Sequence, residues 1–322
     1  MDTTITKPAM SRLTKGYIIA VVGTAIWSAT AVFIRYLTET YHMPPLVVAF
    51  WRDLFASIAL TIAFLVLAPA RLRVERRHWG FLLLYGFVLS IFNSLWTVAV
   101  ALDGAAVATV LAYSSPAFTA IAGWRLFGER LDWIKIVAVL MSIVGCAFVS
   151  GAYDAGAWQV NPLGIVTGLL AGVAFAGYSL MGKAAARRDL YPWTTLLYIF
   201  AIAAMLLLAY NTVPGFLPGV KPPSLMWLGT SWAGWGLIVA LALGPTIGGY
   251  GLYTVSLTYL PASVANLIAT LEPSMTAALA YLFLRETLTG PQLFGSGVII
   301  VGVIVLRINE GRVPAQSAPV SA

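Results

Sequence analysis

The sequence predicts an all-α integral membrane protein of ten transmembrane helices, arranged as two inverted five-helix repeats around a central cavity. Three observations predict it. Of 322 residues, 60% are hydrophobic and only 10% charged, whereas a soluble domain carries roughly 25% charged residues. The apolar residues fall into segments near the ~20 residues that a helix needs to cross a bilayer, where the backbone must satisfy its own hydrogen bonds. Finally, a stretch of the first half recurs in the second.

The elements follow in order. A polar tail (1–16) with Lys7, Arg12 and Lys15 precedes a span near Tyr17–Leu37. That span is longer than a typical signal-peptide core and lacks a clear small-residue cleavage site, so it reads as a retained helix. Spans near Leu46–Ala68, Trp79–Ala101, Ala105–Phe127 and Trp133–Ser150 complete a first repeat over 17–150. A linker (151–162) leads to a second repeat over 163–307, with spans near Leu163–Met181, Trp193–Val213, Trp235–Leu257, Ala262–Leu284 and Gln292–Leu306, and then a tail (308–322). Pro, Gly and charge mark the breaks, as at Met43-Pro44-Pro45 and in the long loop Val213–Pro223.

Lys and Arg placement sets the orientation. With the N-terminus in the cytoplasm and ten crossings, fifteen of the 19 basic residues fall on the cytoplasmic side, while Arg35, Lys221 and Arg285 fall outside. Arg52 lies inside a span. The reading is a multi-pass protein of the cell inner membrane with both termini cytoplasmic. It also turns the net charge of +7 into membrane anchoring, which removes nucleic acid as a partner. Trp79, Trp133, Trp193 and Trp232 read as interfacial anchors.

Ala106–Phe148 aligns without a gap to Ser263–Val305, Pro273 lying 157 residues after Pro116. Nine identities follow, including Pro116 with Pro273 and Glu129 with Glu286. Five helices per copy is an odd number, so the second copy enters the membrane from the opposite side. Inverted repeats are typical of secondary transporters, whose site lies near the midplane between the copies.

Trp27-Ser28 with Arg35, Arg52 in the second helix, Ser115-Pro116 through Gly128-Glu129, and Leu271-Glu272-Pro273 through Arg285-Glu286 together resemble the drug/metabolite transporter superfamily, in its EamA-type branch of ten-helix exporters. The resemblance runs from about Tyr17 to Leu306. It implies export of small metabolites by alternating access. Similar members include exporters of aromatic and other amino acids, so amino acids, including aromatic or hydrophobic ones, are the expected substrates. It also implies a supporting role for the fifth and tenth helices, behind the cavity.

Glu272 lies near the centre of the ninth span, where a charge is costly unless paired, hydrated or protonated. It reads as a proton carrier, as a contact for a substrate amino group, or as a satisfied structural acid. Pro116 and Pro273 each leave a carbonyl without its helical donor, so both read as kinks, and Pro245 marks a bend in the eighth span. Arg52 can fork onto a substrate carboxylate or anchor the second helix. It and Asp53 point about 100° apart on a helix, so each is expected to find another partner. The candidate substrate-binding residues are Trp27 and Ser28, Tyr85, Asn93 and Trp96 with Phe92 beside them, Tyr113, Phe175 and Tyr178, Tyr250 and Tyr253, and Asn266 and Thr270. Amphipathic rings with a few amides suit a small amphiphile, although helix packing explains any single ring as well.

Other classes fare worse. A phosphorylated-substrate carrier needs several basic residues in the cavity. Broad-specificity drug or cation efflux remains compatible with an aromatic pocket holding one acid. An intramembrane enzyme needs a paired acid or nucleophile motif, and none is visible. With one cysteine, Cys146, and two peripheral histidines, His42 and His78, no metal site is expected. No Gly-rich nucleotide loop exists, and no cofactor is expected. The small residues Ala138, Ser142 and Cys146, four apart, permit close helix contact, so the expectation is a monomer or a weak homodimer.

Overall fold

The computed structural model describes residues 11–158, 161–213, 223–284 and 287–312. The loop from Pro214, Lys221, Arg285 and Glu286, and the far ends of both tails, lie outside the described residues. Among the described residues there is no strand. The helices are α1 (Arg12–Thr40), α2 (Pro45–Leu67), α3 (Trp79–Ala112), α4 (Ser115–Phe127), α5 (Trp133–Ser150), α6 (Pro162–Arg187), α7 (Pro192–Thr212), α8 (Trp232–Leu241), α9 (Gly251–Tyr259), α10 (Ala262–Ala269), α11 (Glu272–Leu284) and α12 (Gly290–Arg312). A π-helical stretch, Ala242–Tyr250, joins α8 to α9.

Local sequence explains the boundaries. The hydroxyl of Ser11 caps α1 by accepting from the Thr14 N–H at 3.1 Å, and Asp132 and Asn161 cap α5 and α6 in the same way. Proline opens α2, α6 and α7, where a missing N–H costs nothing. Gly151 ends α5 at φ +84°, a conformation that favours glycine.

Eight helical stretches are long and apolar enough to cross a membrane. The fourth and ninth crossings are absent from that set because each is discontinuous. Pro116 and Pro273 occupy the first turns of helices that restart after breaks at Tyr113-Ser114 and Thr270-Leu271. These prolines therefore begin helices; they do not bend intact ones.

The expected break between the third and fourth crossings takes another form. Helical hydrogen bonding continues from Trp79 to Ala112, yet the chain reverses. Going up α3, Val88 lies against Gly177, Phe92 stacks on Phe175, and Asp103 lies over Gly164. Beyond Asp103 the neighbours climb back, Leu111 over Gly168 and Ser114 over Gly172. The corner keeps its helical ladder, and Asp103 buttresses it by accepting from the Asn161 N–H at 2.7 Å. Gly164, Gly168 and Gly172 form a small-residue stripe that lets the returning strand of helix approach closely.

The two repeats meet in an antiparallel seam between α5 and α12. A methyl added at Gly145 would lie 2.7 Å from the Gly295 carbonyl oxygen, and one added at Gly295 would lie 2.6 Å from that of Gly145. Gly302 lies against Ala138, 3.4 Å from its carbonyl by the same measure. Ala138 and Gly145 are the 157-residue counterparts of Gly295 and Gly302. The two contacts are thus one contact repeated by a pseudo-two-fold operation, as a self-complementary interface requires. The antiparallel pairing shows that the copies are inverted. Ala138 is spent in this seam and Cys146 approaches the Thr270 carbonyl.

The described basic residues outside the spans gather at one end of the bundle, except Arg35. Arg307 donates to Thr14 at 2.8 Å, Arg71 sits over Tyr191, Arg187 reaches the Phe127 carbonyl and Arg12 faces Tyr259. Both described ends of the chain lie on this face. Ile62, Met205, Ile121 and Ile300, each well inside its helix, are exposed, as an apolar solvent demands. Trp133 and Trp232 are exposed, but Trp193 packs its ring against Gly251 and so fills a core gap instead of lying free at the interface.

Candidate functional site

A cavity of about 430 Å³ lies between the repeats, well within the range of small-molecule sites. It extends toward the end of the bundle opposite the termini, reaching Ile34 and Arg35 late in α1, Ser150 at the end of α5, and Gln292 early in α12. Arg35 is ion-paired with Glu39 at 2.9 Å.

The innermost wall is aromatic. Trp27 packs on Tyr250 with ring centroids 4.3 Å apart and meets the edge of Phe175 at 5.7 Å, while Phe92 stacks on Phe175 at 5.1 Å. The π-helical stretch positions Tyr250. Pro245 lacks the N–H that an ordinary turn needs, and the widened ladder that results is typical of functional sites. Thr246 follows it, its hydroxyl donating to the Leu241 carbonyl at 2.8 Å. Gly249 lets this segment lie directly on the Trp27 backbone; a methyl there would come within 2.8 Å of the Trp27 Cα.

Charge enters from both halves. Arg52 and Asp53 of α2 are buried and bonded to each other, Nε donating to Oδ1 at 2.9 Å. This corrects the expectation that neighbours on a helix must look elsewhere. The long arginine side chain folds back across the 100° between them. Asn93 donates to Asp53 Oδ2 at 3.3 Å. Arg52 borders the cavity, lies 6.0 Å from the Tyr250 ring centroid, and its Nη2 has no acceptor among the described residues. From the second half comes Glu272, the first residue of α11, which accepts a hydrogen bond from the Tyr113 hydroxyl. In the first repeat Ser115 stands at the position of Glu272, so the pseudo-symmetry of the backbone is broken by the chemistry of the side chains.

The structure therefore brings Trp27, Arg52, Phe92, Asn93, Trp96, Tyr113, Phe175, Tyr250, Glu272 and Pro273 of the sequence-derived candidates to one cavity. The others lie outside its lining. Tyr85, Tyr178 and Tyr253 form a packed layer beneath it, fully buried. Tyr253 and Asn266 both bond Ser179, at 2.6 and 2.8 Å, and Asn266 also accepts from Ser115 at 2.9 Å. Ser28 and Thr270 donate to carbonyls of their own helices, while the Ser28 carbonyl accepts from Thr276 and so ties α1 to α11. Periodicity gave these residues the correct face. It gave no depth, and at their depth the halves are in contact. Thr30, Thr109, Thr276 and Gln292 line the cavity without having been singled out; short polar side chains in apolar spans were the available signal.

Beneath the tyrosine layer the termini-side end is closed by charge. Gly128, at φ +66°, ends α4 and turns the chain back so that Glu129 lies over Gly123. The Glu129 carboxylate accepts from the Ala262 and Ser263 N–H groups and from the Ser263 hydroxyl, capping α10. Lys183 donates to the Leu257 and Leu260 carbonyls at 3.0 and 2.7 Å. Buried Lys135 contacts Ser263 at 3.3 Å and Glu310 at 3.4 Å. No group of three or more His, Cys, Asp or Glu able to hold a metal exists among the described residues.

Comparison with known proteins matches this architecture. The model of the EamA-like transporter family fits twice, over residues 14–151 and 162–308. The uncharacterized transporter YwfM of Bacillus subtilis is 27% identical over 81% of this chain and 84% of its own length. The threonine/homoserine exporter RhtA of Escherichia coli K12 is 27% identical over 72% of each chain. A solved crystal structure aligns with a TM-score of 0.73 at 20% identity, covering 94% of this chain and 99% of that one, a likeness of fold. Matched twice by a single family model and built as two antiparallel copies around a shared cavity, the chain belongs to the EamA-like transporter family, within the drug/metabolite transporter superfamily.

Proposed function

We propose that the protein exports amino acids, aromatic and hydrophobic ones among them, across the cell inner membrane by alternating access. The observation that carries this reading is the cavity itself. It is bounded by both repeats, walled by rings, and flanked by an arginine from the first half and a glutamate from the second. A zwitterion with an apolar side chain matches that distribution of charge and surface. The likeness to a threonine/homoserine exporter adds support for amino acids as a class.

In this reading the cavity opens outward, with both termini in the cytoplasm, and the Glu129 and Lys183 contacts close the cytoplasmic side. Inward opening requires α4 and α5 to part from α10. Glu272 serves proton coupling or receives the substrate ammonium. The protein acts as a monomer or a weak dimer.

Purified protein in liposomes, offered labelled phenylalanine, leucine, threonine and homoserine beside cationic dyes, tests the reading. Saturable movement of amino acids is the expected result. Movement of dyes with no amino acid would replace it with drug efflux.

A further inference from the structure

We infer that Arg52 is the carboxylate anchor of the substrate, so that the transporter selects molecules with a free carboxylate beside an ammonium group and rejects simple amines. The inference rests on the proposed amino-acid reading and goes further by assigning the recognised group to one side chain.

Three features of Arg52 point this way. It is 5% exposed yet borders the cavity. Its Nε is committed to Asp53, which Asn93 holds from the other side; the guanidinium plane is thereby fixed. Its Nη2 has almost no accessible surface and no acceptor among the described residues. A buried donor without an acceptor is costly, and a ligand oxygen that reaches this edge as the side chains over it shift removes that cost. The fork geometry of guanidinium favours carboxylate over a single hydroxyl.

Net charge then narrows the class. Arg52 is balanced by Asp53, so the pair offers directed donors without a full uncompensated positive charge. Glu272 adds a negative group on the same cavity wall, and one of its oxygens already accepts from Tyr113. A phosphate dianion would meet too little positive charge. A lone amine would satisfy Glu272 and leave Arg52 unanswered. An α-amino acid answers both, with its side chain against Trp27 and Phe175.

Competition on the wild-type protein in liposomes provides the first test. Phenylalanine efflux is measured against excess phenylalanine, phenylalaninamide and phenethylamine. Phenylalanine should compete about tenfold or more better than either analogue lacking the carboxylate, since a site built to bond a group rejects ligands without it. Equal competition by phenethylamine overturns the inference. The second test uses Arg52→Gln alone and combined with Asp53→Asn, the pair that leaves no stray buried charge. Both should lose phenylalanine transport by about tenfold or more through KM, and discrimination against the amide should vanish. Retained discrimination in a folded double variant overturns the inference while the amino-acid reading stands. Failure of the wild type to move any amino acid sinks that reading and the inference with it.

Discussion

Arg52 and Asp53 form a buried ion pair, and its value lies in what happens when one member goes. Leaving an uncompensated buried charge costs about 3–5 kcal/mol. Asp53→Ala should therefore lower the thermal unfolding midpoint in detergent sharply, while Asp53→Asn, which can still bond Asn93, should lower it less. Equal losses would show that the charge of Asp53 carries its whole contribution and that the bond to Asn93 adds nothing. Glu272 invites a different measurement. If it carries the coupled proton, Glu272→Gln abolishes the dependence of transport on pH; an unchanged rate and profile would eliminate proton carriage. All three residues were visible in the sequence as charges inside spans. Their partners were not, because helical projection fixes where Cβ points and says nothing of where a long side chain ends.

At the scale of the element, the discontinuous crossings divide the labour. α4 supplies Tyr113 at its entrance and Glu129 past its exit, whereas α10 receives the latter and α11 begins with Glu272. Removing the cap with Glu129→Ala frees two N–H groups at the start of α10 and should cost about 1–2 kcal/mol of stability, read as a lower unfolding midpoint; Glu129→Gln should recover part of it. Asp132 caps α5 and also bonds Asn309 at 2.8 Å. Desolvation works against its charge, but the Lys135 N–H and the Asn309 amide outweigh it and hold the carboxyl below its ordinary value. A depressed acid stabilises the fold above its unfolded pKa and loses that stabilisation as pH falls through the folded one. The unfolding midpoint should thus fall below about pH 4, and Asp132→Asn should blunt that drop. The prolines that start α4 and α11 were legible from the 157-residue repeat. The corner at Asp103 was legible as a break, though its unbroken helical ladder was not, since sequence marks where a chain can turn without specifying how its hydrogen bonds survive. Glu129 was legible as a repeated residue. Its capping of α10 joins positions 133 residues apart, which no local pattern encodes.

For the whole molecule, the arrangement is a cavity on one side and a sealed layer on the other. In a Cys146→Ser background, Gln292→Cys at the cavity rim should react with an impermeant thiol reagent supplied from the face opposite the termini. Ser263→Cys, enclosed by Glu129 and Lys135, should stay silent from that face throughout and react from the termini side only while substrate is cycling. Labelling of both at equal rates would contradict a one-sided opening. The number of crossings, their inversion and the aromatic wall were all readable from hydropathy, basic-residue placement and the repeat. The floor of the cavity was not readable, because Tyr85, Tyr178 and Tyr253 share helix faces with the lining residues and differ from them only in depth.

The seam of α5 and α12 carries one more implication. Gly145 meets Gly295 as Gly302 meets Ala138, so each half presents the other with a surface equivalent to its own. Such a joint holds its alignment without a covalent tether. Two polypeptides severed between Trp158 and Pro162 and made together in one cell should find each other and regain transport, with Gly145→Val, which jams the joint, preventing their reunion.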